Sequence, residues 1–214
     1  MTGAEGLRER KKRQTRQAIV DAAHRLFGDR GFDAVTVAEV ARAADVSEGT
    51  VFNYFPTKED LFYGGMEAFE AELVEAVRER EPGESVLTAF RRFVLERSAR
   101  LAGEEVADVI ATAARIVTAS PALRAREREI VAEYTDALAA LIAQETGASA
   151  EDVEPVTVAT ALMGVQRALV AHVRAGVLAG RRGPKLAADV RSQGTRAFAR
   201  LEGGLADYAV KPTH

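Results

Sequence analysis

One stretch constrains the fold more than any other: TVAEVARAADVSEGTVFNYFPTK, residues 36–58. Its spacing predicts two short helices joined by a tight turn. Thr36, with Glu39 three residues on, has the capping-box pattern, in which each side chain bonds the other residue's free amide. Val37, Val40, Ala41 and Ala44 recur at helical spacing and make a narrow apolar face. Ala44-Asp45-Val46 is the predicted turn. Ser47 caps the second helix. Pro56 stops it, because proline restricts the residue before it and has no amide hydrogen to donate. Thr57 caps a third helix, with Asp60 in the reciprocal position. Helices this short are marginal alone, so Val40, Val46 and Val51 are expected to bind the pair together.

The second short helix keeps Glu48, Thr50, Asn53 and Tyr54 on a polar face. Such a face suits the base edges of a major groove. An ordinary helical hairpin on a solvated surface has the same pattern. The run Gly31–Phe62, GFDAVTVAEVARAADVSEGTVFNYFPTKEDLF, resembles the N-terminal domain of the TetR family of transcriptional regulators. The resemblance rests on Gly-Phe before the first short helix, Gly-Thr opening the second, and the Lys that closes the motif. Beyond it the chain matches that family only in length and helical character.

The resemblance implies DNA contacts from Thr36, Glu48, Gly49, Thr50, Asn53, Tyr54 and Lys58. The chemistry of these residues leaves alternatives open. Thr50 suits a base edge or a phosphate. Asn53 can pair with adenine or grip the backbone. Glu48 can accept from cytosine or simply stabilise its own helix start. Lys58 supplies a point charge for a phosphate. Phe52 stands where many members of the family carry tyrosine, and it is expected in the core. Arg42 is expected on an exposed face.

The 214 residues form a net charge of -3, which by itself argues against DNA. Recognition depends on local fields, however, and Arg8, Arg10, Lys11, Lys12, Arg13 and Arg16 crowd the start of the chain. Residues 1–9 are expected to be disordered, with helix from Arg10. There is no cysteine, so no disulfide and no thiolate chemistry. No secretory signal and no membrane-spanning run are read from the sequence. A cytoplasmic location is expected.

Alanine is frequent and prolines number only 6, which favours helix throughout. The expected fold is all-α, with about nine helices. A helix-turn-helix domain over 10–56 precedes a helical effector-binding and dimerisation domain over 57–210. A single helix over 57–80 is expected to connect them and to carry motion to the reading head. Ser120-Pro121 marks a helix start, as cap and first helical residue.

In the last two helices, Leu162, Leu169 and Val173, and Val190, Gly194, Ala197 and Leu201, recur at intervals suited to a helical bundle. They are the expected dimer interface, because a palindromic operator needs a symmetric reader. The same stripes would serve the chain's own core. The family resemblance implies a small-molecule effector in the second domain. Candidate lining is Phe69, Phe90, Phe93, Ile110, Ile116, Tyr134, Met163 and Gln166, a mostly apolar set that suits an apolar or amphipathic molecule. Residues of these types at helical spacing are commonly plain core.

The expected function is therefore a homodimeric repressor of a palindromic operator, with no cofactor and no membrane partner. Two other classes compete with it. One is a helical ligand-binding or interaction protein with no role on DNA. The other is a small enzyme, although His24, His172 and His214 show no metal-ligand spacing and no nucleophile motif.

Overall fold

The computed structural model describes residues 3–64, 67–205 and 207–211, without the side chains of residues 3–5, 7, 67 and 68. The described residues form ten helices: α1 (Gly3–Arg30), α2 (Val37–Ala43), α3 (Glu48–Tyr54), α4 (Lys58–Phe62), α5 (Glu67–Arg78), α6 (Val86–Leu101), α7 (Ala107–Ala119), α8 (Pro121–Thr146), α9 (Glu154–Leu178) and α10 (Gly183–Leu205). The fold is all-α, as expected. It has one helix more because the single helix predicted over 57–80 is two. α4 ends with Tyr63 as its C-cap, and α5 begins at Glu67. Of the stretch expected to be disordered, residues 3–9 are helical, as the start of α1, and residues 1–2 lie outside the described residues.

Two compact units emerge. The first comprises Met1–Glu67 with Ile116–Arg126, and the second Ala68–Arg115 with Glu127–His214. The first unit is built around α1. Ile19, Val20, Ala22, Ala23 and Phe27 face inward and meet Phe32, Val35, Val40, Val51, Phe55 and Leu61. Gly31 ends α1 with a φ of 81°, a left-handed conformation that glycine adopts without steric cost. Phe27 and Phe32 meet at a tilt with centroids 5.1 Å apart, and Phe62 meets both rings.

Residues 116–126 join this unit through specific bonds. The Tyr63 hydroxyl donates to the Leu123 carbonyl at 2.9 Å. Arg126 Nε donates to Asp60 Oδ1 at 2.9 Å. The other Asp60 oxygen accepts from the Thr57 amide at 3.0 Å and from its hydroxyl at 2.7 Å. One carboxylate thus caps α4 and holds the start of α8.

In the second unit α10 packs on both α6 and α9, and α6 packs on α9. Its most demanding feature is Arg80, which is only 2% exposed. A buried charge is tolerated only when paired and fully hydrogen-bonded. Arg80 Nη2 pairs with Glu145 Oε2 at 2.6 Å and donates to the Ala209 carbonyl at 2.9 Å. Nη1 donates to the Val77 carbonyl and Nε to that of Glu84. Lys211 Nζ covers the Arg80 carbonyl at 2.8 Å. This arginine therefore joins the end of α5, the approach to α6, the end of α8 and the C-terminal segment.

By length and composition alone α9 meets the requirement of a membrane span, an 18-residue window of it having a mean hydropathy of 1.4. That departs from the sequence expectation. Its buried side, including Leu162, Met163, Leu169 and Val173, packs within the helical unit.

Truncating Glu145 to Ala would leave the Arg80 charge buried without its carboxylate. The expected loss is about 3 kcal/mol of unfolding free energy, measured by chemical denaturation. A change within error would mean that solvent or another acid reaches Arg80.

Candidate nucleic-acid interface

The short helices form where the caps demand. Thr36 accepts from the Glu39 amide at 3.3 Å, and Glu39 Oε2 accepts from the Thr36 amide at 2.8 Å. The second capping box, Thr57 with Asp60, is also complete. Ser47 Oγ accepts from the Thr50 amide at 3.1 Å. The turn closes through the Val46 amide on the Ala41 carbonyl at 3.0 Å. Asp45 takes a φ of 55° there, a conformation that aspartate tolerates better than most side chains.

Glu39 is held in its charged form. Its pKa falls from 4.5 to about 2, first through the Thr36 backbone amide, then through the Arg30 guanidinium and the Thr36 hydroxyl. Arg30 reaches it at 2.7 Å and also donates to the Ala34 carbonyl. Because this acid's folded pKa lies below its unfolded value, its contribution to stability is complete above about pH 4.5. It is lost as pH falls toward about 2.

α3 is seated by Val51 and Phe55, both buried. Arg16 secures that seat. Its guanidinium lies 4.8 Å from the Phe55 centroid, and it donates to the Gly64 carbonyl at 2.6 Å. Gly64 allows the close fit, since a Cβ there would lie 2.8 Å from Val20 and 2.9 Å from Phe55. Arg16 belongs to this internal contact as well as to the basic run that sequence suggested. The preceding residues 8–14 of α1 are all exposed.

With Val51 and Phe55 inward, Glu48, Gly49, Phe52 and Asn53 are exposed, and Thr50 and Tyr54 are half-buried. Phe52 is 48% exposed, so its expected place in the core is wrong. The helical step of about 100° per residue places Phe52 on the outward side once Val51 and Phe55 are fixed. Thr36 is exposed, with its hydroxyl donating to Glu39 Oε2 at 2.9 Å. Lys58 is half-buried, and its ammonium lies 4.2 Å from the Phe32 centroid. A shallow depression of about 490 Å³ runs beside the turn, lined by Ala38, Ala41, Arg42, Asp45, Val46, Ser47 and Glu48. Arg42 is exposed at its edge.

The expected effector residues divide. Ile116 belongs to the first unit and the other seven to the second. Phe69, Phe90, Tyr134 and Met163 are buried, while Phe93, Ile110, Ile116 and Gln166 are half-buried. Phe69 meets Phe93 at 5.6 Å and Tyr134 at 5.8 Å between centroids. Arg97 lies over the same Phe69 ring at 5.0 Å. Phe90 turns instead to Phe198.

The expected interface stripe lies largely inside its own unit. Leu162, Leu169, Val173, Val190 and Gly194 are buried, and Ala197 and Leu201 are half-buried. Gly194 does permit a close approach, but to Leu95 of α6 and Leu169 of α9.

A model of bacterial regulatory proteins of the tetR family matches residues 19–63. A model of the MftR C-terminal domain matches residues 84–206, more than half of the chain. The chain belongs to the TetR family. As a member it is a DNA-binding transcriptional regulator. The HTH-type transcriptional regulator TcmR of Streptomyces glaucescens is 32% identical over 152 residues, covering 69% of this chain and 67% of TcmR. The putative mycofactocin biosynthesis transcriptional regulator MftR of Mycobacterium tuberculosis is 26% identical over 170 residues, covering 76% of this chain and 81% of MftR. Among solved structures, NalD, the secondary repressor of the MexAB-OprM multidrug efflux pump in Pseudomonas aeruginosa, aligns with a TM-score of 0.57 at 20% identity, over 91% of this chain and 98% of NalD. The SmeT–triclosan complex aligns at 0.56 and 16% identity, over 94% of this chain and 96% of SmeT. At these identities the structural likeness speaks for the fold alone.

Replacing Glu39 with Gln would remove the charge held by Thr36 and Arg30. Above pH 5 the variant is expected to melt lower than the parent. The two curves should converge as pH falls toward about 2. A constant gap in melting temperature between pH 7 and pH 3 would contradict the assignment.

Proposed function

We propose that the chain is a homodimeric repressor that reads a palindromic operator with the outer face of α3 and is released by a small apolar or amphipathic effector. The observation that carries this reading is a glycine the fold does not need. A Cβ at Gly49 would meet only Ser47 Oγ, at 3.8 Å, and the glycine has no positive φ. Glycine in a helix normally costs stability relative to alanine. Close approach of an outside surface gives the missing reason, and Gly49 sits beside Thr50 and Asn53 on the exposed side. In this reading Thr50, Asn53 and Tyr54 contact base edges or phosphates, while Lys58 and Thr36 approach the backbone. Glu48 serves mainly the start of its own helix.

Two reading heads per operator require a second copy. The buried stripes of α9 and α10 are occupied, so the outer faces are proposed for that contact. On α9 Gly164 has open space where a Cβ would stand, as have Gly203 and Gly204 on α10. Ala168, Ala171 and Ala175 continue the α9 face, and all three are exposed. Ala197 and Leu201 flank the contact. The effector is proposed to bind in the second unit near Phe69, Phe93 and Tyr134. That aromatic cluster with an arginine beside it suits an amphipathic molecule. Occupancy of a promoter is sufficient for repression, and access to DNA implies the cytoplasm.

The direct test is a gel shift on the DNA flanking the protein's own gene. The parent is expected to shift a discrete fragment, and Asn53→Ala to lose at least about tenfold in affinity with an unchanged melting curve. No shift of any fragment would overturn the reading. Gly49→Ala separates fold from function. It is expected to raise stability by about 0.5 kcal/mol while weakening operator binding. Parental affinity in that variant would remove the argument from Gly49. Gly164→Leu should shift the dimer toward monomer in analytical ultracentrifugation, and an unchanged dimer would move the interface elsewhere.

A further inference from the structure

Phe52 is the one large apolar side chain among the described residues of the first unit that is strongly exposed. It has no ring partner among the described residues, and no cation lies over it. Its neighbours in the helix are informative. Glu48 and Phe52 are four residues apart, as are Gly49 and Asn53. The two pairs make adjacent strips of one exposed face, and all four residues are exposed. The fold has buried apolar positions in this helix and at its C-cap, and fills them with Val51 and Phe55. Phe52 contributes little to that core.

A phenyl ring has no group that donates to a phosphate or pairs with a polar base edge. On the floor of a major groove, the apolar feature that distinguishes one base pair from another is the thymine 5-methyl group. We propose that Phe52 is a specificity-determining residue that reads a thymine in each half-site through that methyl. The inference rests on α3 being the groove-entering helix. It adds to that reading a base preference that the polar residues alone do not supply, since Asn53 hydrogen-bonds equally to phosphate or to adenine. The neighbouring Glu48 sharpens the preference. Its carboxylate next to the ring disfavours phosphate at the same spot, so the strip is suited to a base edge.

The test uses the full chain. Its preferred sites are first selected from a random duplex library. Each thymine of the selected half-site is then replaced by deoxyuridine, which lacks only the methyl. In the parent, one position per half-site is expected to lose about fourfold, the fold-change equivalent to about 0.8 kcal/mol for one buried methyl-sized group. Phe52→Ala is expected to bind thymine and uracil equally at that position. Phe52→Leu, which keeps an apolar side chain, should retain part of the discrimination. Equal melting curves exclude a folding defect, as expected for an exposed position. Neutral uracil at every position in the parent overturns the inference, as does a Phe52→Ala variant that still distinguishes the two bases. A uniform loss in Phe52→Ala with no dependence on the methyl also overturns it, and would place the ring against sugar. A chain that selects no site at all defeats the underlying reading of α3 as well, so the two failures are distinguishable.

Discussion

The α3 helix, proposed to read the operator, cannot hold itself. At 7 residues it is far below the length at which helices persist alone in water. Its shape is imposed by Val51 and Phe55, which lock one side into the core of the first unit, and by Ser47, which satisfies its first turn. The outward direction of Glu48, Gly49, Phe52 and Asn53 follows from that anchoring. A helix fixed by two inward residues has no freedom to rotate, so its opposite face is specified as firmly as its core.

The supports around α3 are polar as well as apolar. Arg16 covers Phe55 and bonds the backbone at Gly64. Arg30 and Thr36 hold Glu39. Asp60 caps α4 with one oxygen and receives Arg126 with the other. This last bond, with that of Tyr63 to Leu123, brings the first turns of α8 into the same unit as α3. The sequence had suggested a single helix over 57–80 as the mechanical connection. The helix instead breaks after Tyr63, and α4 is bonded to the start of α8 through Asp60 and Arg126.

Much of this was legible in the chain itself. Thr36–Glu39, Ser47 and Thr57–Asp60 announced three helix starts because caps use fixed chemistry at fixed spacing. Gly31, Pro56 and Ser120-Pro121 set boundaries for the same reason. Three things were not legible. Val51 and Phe52 are adjacent and both apolar, and periodicity alone does not say which points inward. The break before α5 carried a weak signal, Gly64-Gly65, while the reason for Gly64 is a contact with Val20 and Phe55 that only the fold creates. Finally, apolar stripes of a helix look alike whether they meet the chain's own α6 or a second copy. Leu169 and Gly194 proved to meet within one chain, and Gly164, half-buried with open space where a Cβ would stand, gave no apolar signal to mark the outer face.

The central claim is that the exposed face of α3 enters a major groove. Methylation protection of guanine N7 on the selected operator reports that groove directly, since N7 lies on its floor. Two protected patches, centred about one helical turn apart and related by the operator's symmetry, are the expected result. A bound complex in which every major-groove N7 stays reactive would contradict the account.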